Sequence, residues 1–324
     1  MRPAKIHILT ARRLLVLVST AILLSSCAWF PSVKEQPYKL ALSWGEKGSD
    51  PGQFNDPTGI AVSADEMFVS DARNGRIQVF DFNGRFIRQI GKPGEGADEL
   101  GRPMNLAIVN DELYVADYWN DRIQVYALDG AHRRSIGASG SGPGEFNAPV
   151  GVAAGPNGDL YVADFYNQRV QHLRRDGKFV RQWGMTGKTG FRAGQFNYPT
   201  DVALDNGGRL YVADGYNDRV QVFEQNGDFS HKWGGPFAMN ISGPFIAWFA
   251  TATSIAVGPQ GNIFVADFYN DRVQKFTPGG AFLTVFGIRP GGPAHTAIAV
   301  AVSAEGAVFV ANFDLHRVEK WVAD

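Results

Sequence analysis

The chain has 324 residues, with 31 Lys and Arg against 32 Asp and Glu and a formal net charge of −1. Its single cysteine excludes an internal disulfide framework, and the balanced charge argues against a protein that binds nucleic acid through clustered basic residues. The 38 Gly, 17 Pro and 12% aromatic residues are typical of a turn-rich β protein.

The first 26 residues differ in composition from the rest of the chain. Arg2, Lys5, Arg12 and Arg13 precede an apolar run over residues 14–24. The run is too short to span a bilayer comfortably but suits a secretory signal peptide. We therefore expect this segment to be a signal peptide and the chain to be exported. Its removal takes away four positive charges and no negative one, which lowers the net charge from −1 to −5.

The end of the apolar run resembles the lipobox of bacterial lipoproteins, in which a small residue precedes a cysteine that becomes lipidated. Here Ser26 precedes Cys27. The resemblance implies a lipid anchor at Cys27, a tether over residues 27–37 and a place in the bacterial cell envelope. Ala28, a residue other than Asp, implies the outer membrane if the cell is Gram-negative, facing the periplasm or the cell surface. The alternative is an ordinary cleaved signal peptide followed by an incidental cysteine.

The remaining residues, 38–324, contain a repeat. An acidic residue and an arginine five positions later recur, with Asn replacing Asp in the last copy, at Asp71/Arg76, Asp117/Arg122, Asp164/Arg169, Asp214/Arg219, Asp267/Arg272 and Asn312/Arg317. Successive first members lie 46, 47, 50, 53 and 45 residues apart. Periods of this length in strand-rich sequence are typical of radial or stacked arrays, because one small sheet cannot bury both faces alone.

The third repeat predicts four strands. Residues 150–154 and 160–164 are apolar runs separated by a Pro-Asn-Gly turn, and residues 169–173 and 179–183 are separated by Asp-Gly. Four antiparallel strands per repeat form the blade of a β-propeller.

The sixth repeat has only three predicted strands before the chain ends. Residues 38–45 carry the missing fourth-strand pattern, ending in Trp44-Gly45. We therefore predict an all-β, six-bladed, monomeric propeller whose N-terminal strand completes the last blade and closes the ring. An open solenoid is the alternative, and it would leave two sheet edges exposed.

The repeats resemble NHL repeats. The pattern is Gly-Gln-Phe or Gly-Glu-Phe followed three residues later by Pro, at residues 52–57, 144–149 and 194–199. The resemblance covers about residues 38–322 and implies six blades. The family includes ligand-sensing domains and protein- and RNA-binding scaffolds, and related propellers include lyases and lactonases, so the fold alone does not decide the function.

The Asp/Arg pairs favour a structural role. A catalytic group is needed once, whereas this pair occurs in nearly every repeat. We expect each Asp to accept hydrogen bonds from loop amides while the Arg braces the next strand, as a clasp. Asn312 removes one charge, so Arg317 is expected to find a different partner.

Four aromatic residues follow the acidic position by two residues, at Trp119, Tyr166, Tyr216 and Tyr269. Their loops are expected on the same face as the Gly-Gln-Phe loops. Rings with a polar tip suit a protein, peptide or glycan surface, because they give a large contact area with few rotamers to freeze. Alternatively, these rings stack between neighbouring blades.

The fifth repeat departs from the pattern. Between residues 235 and 253 the Gly-Gln-Phe signature is replaced by an apolar stretch without charge. An exposed apolar patch marks a partner or membrane contact, so Trp248 and Phe249 are further binding candidates. Alternatively, the stretch is a plug over the channel mouth or against a neighbouring blade.

The central channel offers little for a metal. Asn105 and Asp201 are the weak candidates, and two such groups fall short of the six to eight oxygens that calcium prefers. Three converging histidines for a lyase zinc are not expected either. We predict no catalytic residue and no cofactor, with channel calcium as the alternative. The sequence thus predicts a lipid-anchored envelope propeller that binds partners without catalysis. A metal-dependent hydrolase or lyase acting at the channel is the alternative.

Overall fold

A computed structural model describes residues 35–238, 240–287 and 297–324. The expected signal peptide, Cys27 and all but the last three residues of the expected tether lie outside the described residues. Among the described residues, no helix has the length and apolar character needed to cross a membrane.

The described residues form 24 β-strands in six sheets of four. The innermost strands of the six blades are β2 (Pro57–Val62), β6 (Pro103–Val109), β10 (Pro149–Ala154), β14 (Pro199–Leu204), β18 (Ala252–Val257) and β22 (Ala297–Val302). The second strands are β3 (Glu66–Asp71), β7 (Glu112–Asp117), β11 (Leu160–Asp164), β15 (Leu210–Asp214), β19 (Ile263–Asp267) and β23 (Val308–Asn312). The third strands are β4 (Arg76–Asp81), β8 (Arg122–Ala127), β12 (Arg169–Leu173), β16 (Arg219–Phe223), β20 (Arg272–Phe276) and β24 (Arg317–Ala323). The outermost strands are β5 (Phe86–Ile90), β9 (His132–Ile136), β13 (Phe179–Gly184), β17 (Phe229–Trp233), β21 (Phe282–Phe286) and β1 (Tyr38–Trp44).

The six blades close into a ring. Each innermost strand contacts the innermost strands of the two neighbouring blades, and β22 contacts β2. The chain is a six-bladed β-propeller with four antiparallel strands per blade, as the sequence predicts.

The N-terminal strand completes the sixth blade. β1 pairs antiparallel with β24, from Tyr38 opposite Ala323 to Trp44 opposite Val318. The indole of Trp44 then packs towards Phe80 of the first blade and Phe309 of the sixth. The first and last parts of the ring are thereby joined by backbone hydrogen bonds and by a shared apolar cluster. This confirms the predicted closure, and it pairs two edges that would otherwise be open.

Local chemistry explains the strand ends. Four innermost strands begin with proline, which is tolerated at the first residue because no ladder hydrogen bond is required of its nitrogen there. The outer hairpins turn at glycine. Gly177, for example, has φ +87°, which a side chain would strain, and its amide donates to the carbonyl of Arg174 at 2.8 Å.

The core lies between the blades rather than inside one sheet. The apolar clusters each draw on two adjacent blades. A buried side chain from the loop that enters each of the first five blades extends these clusters, at Phe54, Leu100, Phe146, Phe196 and Phe249. Because each blade is covered only by its neighbours, stability depends on the complete ring.

Candidate binding face at the channel mouth

A buried polar cluster fixes the loops of this face, and blade 3 shows it most fully. One carboxylate oxygen of Asp164 accepts from Arg169 Nε at 2.8 Å, from Asn167 Nδ2 at 2.9 Å and from Gln171 Nε2 at 3.3 Å. The other oxygen accepts from the backbone amide of Asn147 at 2.8 Å. The Asp164 and Arg169 side chains are almost entirely buried. A buried charge pair is stable only when its remaining donors and acceptors are satisfied, and here they are.

The arginine of this cluster also holds the loop that enters the blade. Arg169 donates to the carbonyls of Ser141, Gly142 and Glu145 at 2.8 Å. The same Asp–Arg contact recurs with nitrogen–oxygen distances of 2.7 Å in blades 1 and 5, 2.8 Å in blade 4 and 3.3 Å in blade 2. Each of these five clusters, which we call the clasp, ties the loop entering a blade to the loop between its second and third strands.

The sixth clasp exchanges its acid and its amide. Asn312 stands where the other blades have Asp, and Glu319 stands where they have Gln. Arg317 Nη2 donates to Glu319 Oε1 at 3.0 Å, and the Trp321 indole donates to the other carboxylate oxygen. The cluster therefore keeps one negative charge beside its arginine. Residues 288–296, which precede this blade in the chain, lie outside the described residues.

A second set of contacts joins several of these loops to the following blade. The backbone amides of Ala148 and Thr251 donate to the carboxylates of Asp121 and Asp218, both at 2.7 Å. Between blades 3 and 4 the acceptor is a side-chain amide oxygen, Gln168, with Tyr198 as the donor at the same distance. The loops of this face are thus fixed both within and between blades.

The four aromatic residues that the sequence singled out lie on these loops and reach solvent. The exposed fractions of their side chains are 61% for Trp119, 49% for Tyr166, 53% for Tyr216 and 55% for Tyr269. Each follows a clasp aspartate, so its backbone position is set by that clasp. We call these four residues the aromatic quartet.

A deeper layer of rings, which the sequence reasoning missed, supports the quartet. Tyr118 and Tyr166 share a hydroxyl–hydroxyl hydrogen bond of 3.1 Å. The ring of Phe165 lies 4.8 Å from that of Tyr198, which lies 5.0 Å from that of Tyr216. Tyr166 and Tyr216 therefore contact rings of neighbouring blades on one side and are exposed on the other. The missed signal was positional, since Tyr118 and Phe165 directly follow the clasp aspartates and Tyr198 directly precedes a strand-starting proline.

Two of the deeper rings, Tyr118 and Phe165, line a cavity of about 250 Å³ at the mouth of the central channel. Its walls come from the starts of the innermost strands and from the second-to-third-strand loops. The lining residues include Met104, Val150, Phe165 and Ile298 on the apolar side, and Arg102 at the rim.

The two weak metal candidates meet deeper in the channel but are occupied by protein donors. The Asp201 carboxylate accepts from the backbone amides of Val202 and Ile255 and from the Ser254 hydroxyl at 2.8–2.9 Å, and from the Asn105 amide. Burial raises the pKa of Asp201 to about 6, against the opposing effect of these donors. The carboxylate thus joins the innermost strands of three blades.

Glycine makes room for this contact across blade 3. A Cβ on Gly151 would stand 2.6 Å from the Asp201 Cα, so no larger residue fits between Asn105 and Asp201. Within the described residues, no three His, Cys, Asp or Glu side chains converge as a metal site would require. His132 and His172 bond to Gln124 and Asp159 at the blade periphery, and His295 lies outside the described residues.

The fifth entering loop requires a correction. Its backbone follows the pattern of the others, because Asn270 donates to the Gly243 carbonyl just as Asn167 donates to Gly140. Phe249 occupies the buried phenylalanine position and is 0% exposed, so it belongs to the core and was wrong as a binding candidate. Trp248 is half-buried against Phe245, with ring centres 4.9 Å apart.

The exposed apolar side chains of this stretch are others. Phe237, Ile241 and Phe245 are exposed, Phe237 at 75%, and Phe191 of the preceding loop is exposed nearby. The two loops adjoin, since Arg219 donates to carbonyls of both, at Phe191 and Ala238. None of the described residues from 236 to 252 lines the channel-mouth cavity. It forms an apolar patch at the edge of the face rather than a plug over the channel.

The ring and its repeated clasp define the class of protein, a six-bladed β-propeller. Sequence comparison agrees. The NHL repeat model matches residues 146–173, 196–223 and 249–276, and a 6-bladed beta-propeller model matches residues 49–103. Each NHL match runs from the buried phenylalanine to the end of the third strand and so spans one clasp. Three segments of the chain therefore match NHL repeats.

Among curated proteins, Protein brain tumor of Drosophila melanogaster is 41% identical over 76 residues, covering 22% of this chain and 7% of that protein. The B-box type zinc finger protein ncl-1 of Caenorhabditis elegans is 44% identical over 55 residues, covering 17% and 6%. The matches thus span less than a tenth of the length of these relatives.

Solved structures share the fold. A protein of unknown function from Bacteroides thetaiotaomicron has a TM-score of 0.69 and 16% identity, with 90% of this chain and 77% of that chain covered. Virginiamycin B lyase from Staphylococcus aureus has a TM-score of 0.58 and 16% identity, with 89% and 100% covered. At these identities the likeness shows the fold alone.

The exchanged clasp of blade 6 gives a testable prediction. Glu319→Gln should leave Arg317 without the carboxylate of its clasp and lower the free energy of unfolding by about 1–2 kcal/mol, since the arginine is partly exposed. Adding Asn312→Asp recreates the arrangement of the other five blades and should recover at least half of the loss. Urea denaturation of the two single variants and the double variant measures the coupling. If the double variant is no more stable than Glu319→Gln, then the acid and the amide do not simply exchange positions in blade 6, and this description of the sixth clasp is wrong.

Proposed function

We propose that this protein is a non-enzymatic binding scaffold of the bacterial cell envelope, held by a lipid at Cys27, that captures a protein or peptide partner on its channel-mouth face. One observation carries the proposal. Four aromatic side chains are about half exposed or more on one face, on loops fixed by buried ion pairs. Rigid rings lose little entropy on binding, which makes them effective anchors.

The exposure of the quartet is not explained by packing alone. A ring needed only between blades would be covered by them, as Tyr211 and Phe223 are. The quartet instead leaves about half its surface in water. Exposed apolar surface gathered on one face is typical of interaction sites.

The course of the chain fits an anchored scaffold. β24 starts at Arg317 beside the channel-mouth loops, and Tyr38 pairs with Ala323 at its far end. Glu35 is held there by Lys275 at 2.6 Å. The N-terminal segment therefore joins the propeller on the opposite face. The ten residues 28–37 reach at most roughly 35 Å when extended, so a lipid at Cys27 would direct the aromatic quartet away from the membrane.

The alternative of a metal-dependent hydrolase or lyase gains no specific support. The lyases among the solved structures share the fold only, and the channel carboxylate of Asp201 already accepts four hydrogen bonds from protein groups.

Removing the quartet tests the binding face. Changing Trp119, Tyr166, Tyr216 and Tyr269 together to Ala should abolish crosslinking to envelope partners, because truncating each aromatic anchor costs about 2 kcal/mol of binding. Mass spectrometry of crosslinked envelopes identifies the partners, and thermal unfolding checks the fold.

The matched control changes four exposed apolar residues on outermost strands to Ala, at Ile87, Phe179, Val180 and Phe229. This control should keep every partner. A folded quartet variant that still captures the same partners would refute the proposal.

Replacing Cys27 tests the anchor. Cys27→Ser should move the protein from the membrane fraction to the soluble envelope fraction, or leave an uncleaved precursor, because no acyl chain can be attached. Fractionation with labelled fatty acid measures this. Unchanged labelling and membrane association would show that Cys27 is not the anchor.

A further inference from the structure

The channel-mouth cavity contains one charged side chain without a hydrogen-bond partner. Among the described residues, the guanidinium of Arg102 donates no hydrogen bond, and its Nε is buried. The nearest carboxylate oxygen belongs to Asp56 and is 3.9 Å away, beyond hydrogen-bond distance. That carboxylate is paired with Arg73 instead. Leaving a buried donor unsatisfied is unfavourable, so this arrangement points to a missing acceptor.

The backbone holds Arg102 firmly at this position. Its amide donates to the clasp carboxylate Asp117 at 3.1 Å, and its carbonyl accepts from the Tyr118 amide at 3.0 Å. The guanidinium lies over the Trp119 ring, 5.6 Å from the ring centre. Arg102 is thus positioned by the second clasp and by one member of the aromatic quartet. The equivalent residues of four other blades, which also precede the first residue of the innermost strand, are Asp56, Ala148, Tyr198 and Thr251.

The other polar groups that line the cavity are already engaged. The hydroxyls of Thr58, Thr200 and Thr253 donate to carbonyls of the following blades, at 3.0, 2.6 and 3.5 Å. Asn105 and Ser254 serve the Asp201 carboxylate deeper in the channel. Their donor groups are therefore committed to the protein itself.

Tyr118, the other titratable group of the lining, stays neutral. Burial raises its pKa to about 12, and the hydrogen bond with Tyr166 adds to the effect. Arg102 is consequently the one formal charge among the described residues that line the cavity at neutral pH. Asp121, the acid nearest Tyr118, already accepts from Ala148 and Ser139. A ligand therefore meets one cation that lacks a hydrogen-bond acceptor, together with the apolar side chains of the lining.

We propose that the channel mouth binds a small organic carboxylate with a flat apolar body, whose carboxylate pairs with Arg102. The guanidinium fork matches two carboxylate oxygens, and Met104, Val150, Phe165 and Ile298 would cover the apolar body. The volume of about 250 Å³ lies just below the usual range for drug-sized ligands, which favours a small acid. This inference rests on the proposed function, because it assigns a ligand to the same face.

Calorimetric titration of the full-length chain, purified in mild detergent, tests the assignment with phenylacetate and its neutral analogue phenylacetamide. Phenylacetate should bind at least about tenfold more tightly than the amide, because only the carboxylate makes charge-assisted hydrogen bonds. Arg102→Gln should reduce phenylacetate affinity by about tenfold or more and leave the affinity for phenylacetamide within about twofold. Arg102→Lys should be intermediate, since it keeps the charge and loses the fork.

The matched control is Arg192→Gln, which makes the same change of charge at an exposed residue outside the cavity. It should change phenylacetate affinity by less than about twofold if long-range charge contributes little. Equal binding of phenylacetate and phenylacetamide, no binding of phenylacetate, or full affinity in Arg102→Gln would each overturn the assignment. If Arg102→Gln does not fold, the assignment is tested by the affinities of the wild-type protein for phenylacetate and phenylacetamide and by the phenylacetate affinity of Arg102→Lys.

The outcome separates this inference from the proposed function. Loss of partners by the quartet variant without any phenylacetate binding would remove only the carboxylate site. In the converse result, phenylacetate binds in a way that depends on Arg102 while the quartet variant retains every partner. That result would contradict only the partner-binding proposal.

Discussion

The buried contact between a clasp carboxylate and its arginine is the interaction on which the rest of this structure depends. In Asp214 and Arg219 both side chains are fully buried, at 2.8 Å. A pair so deeply buried is favourable only while every remaining donor and acceptor is used, and the arginine uses its own on the carbonyls of the loop that enters the blade. The charges can be buried only if the loop carbonyls accept from the arginine, and the loop is held in place by the same hydrogen bonds. The loops of this face are therefore fixed by buried polar contacts.

Because the backbone repeats, individual function has to arise from side chains that break the repetition. The clasp residues and the buried phenylalanines hardly change from blade to blade. They fix the backbone of the loops, so that the other loop positions can carry different side chains in different blades. Arg102 is the one basic residue at one such place, where four other blades have Asp56, Ala148, Tyr198 and Thr251. The uncharged stretch carrying Phe237 replaces polar residues at another. Asn105 and Asp201 are further exceptions, and the missing side chain of Gly151 lets them meet across a blade. The scaffold is symmetric, whereas the channel mouth is not.

The sequence predicts the fold almost completely because the period, the strand patterns and the orphan strand at Tyr38 are local or periodic signals. It also places the aromatic quartet, since position relative to Asp117 or Asp164 is the same in every blade. The sequence does not predict whether a side chain is buried or paired when this depends on contacts between blades. From the sequence, Phe249 is predicted to lie in an exposed loop. The structure shows that it is equivalent to Phe196, because the Gly243 carbonyl accepts a hydrogen bond from Asn270 just as the Gly190 carbonyl accepts one from Asn217. Arg102 carried no signal, because a guanidinium without a hydrogen-bond acceptor can be recognised only when the neighbouring carboxylates are located.

Oxidative footprinting by hydroxyl radicals tests the central claim, that the channel-mouth face is the surface used in the envelope. Modification of each aromatic side chain would be compared between the purified protein and native envelope preparations. The account predicts that Trp119, Tyr166, Tyr216 and Tyr269 are modified in the purified protein and protected in envelopes. Phe179 and Phe229, on the outermost strands, should react equally in both. Protection confined to the outermost strands, with the aromatic quartet equally reactive in both preparations, would contradict it.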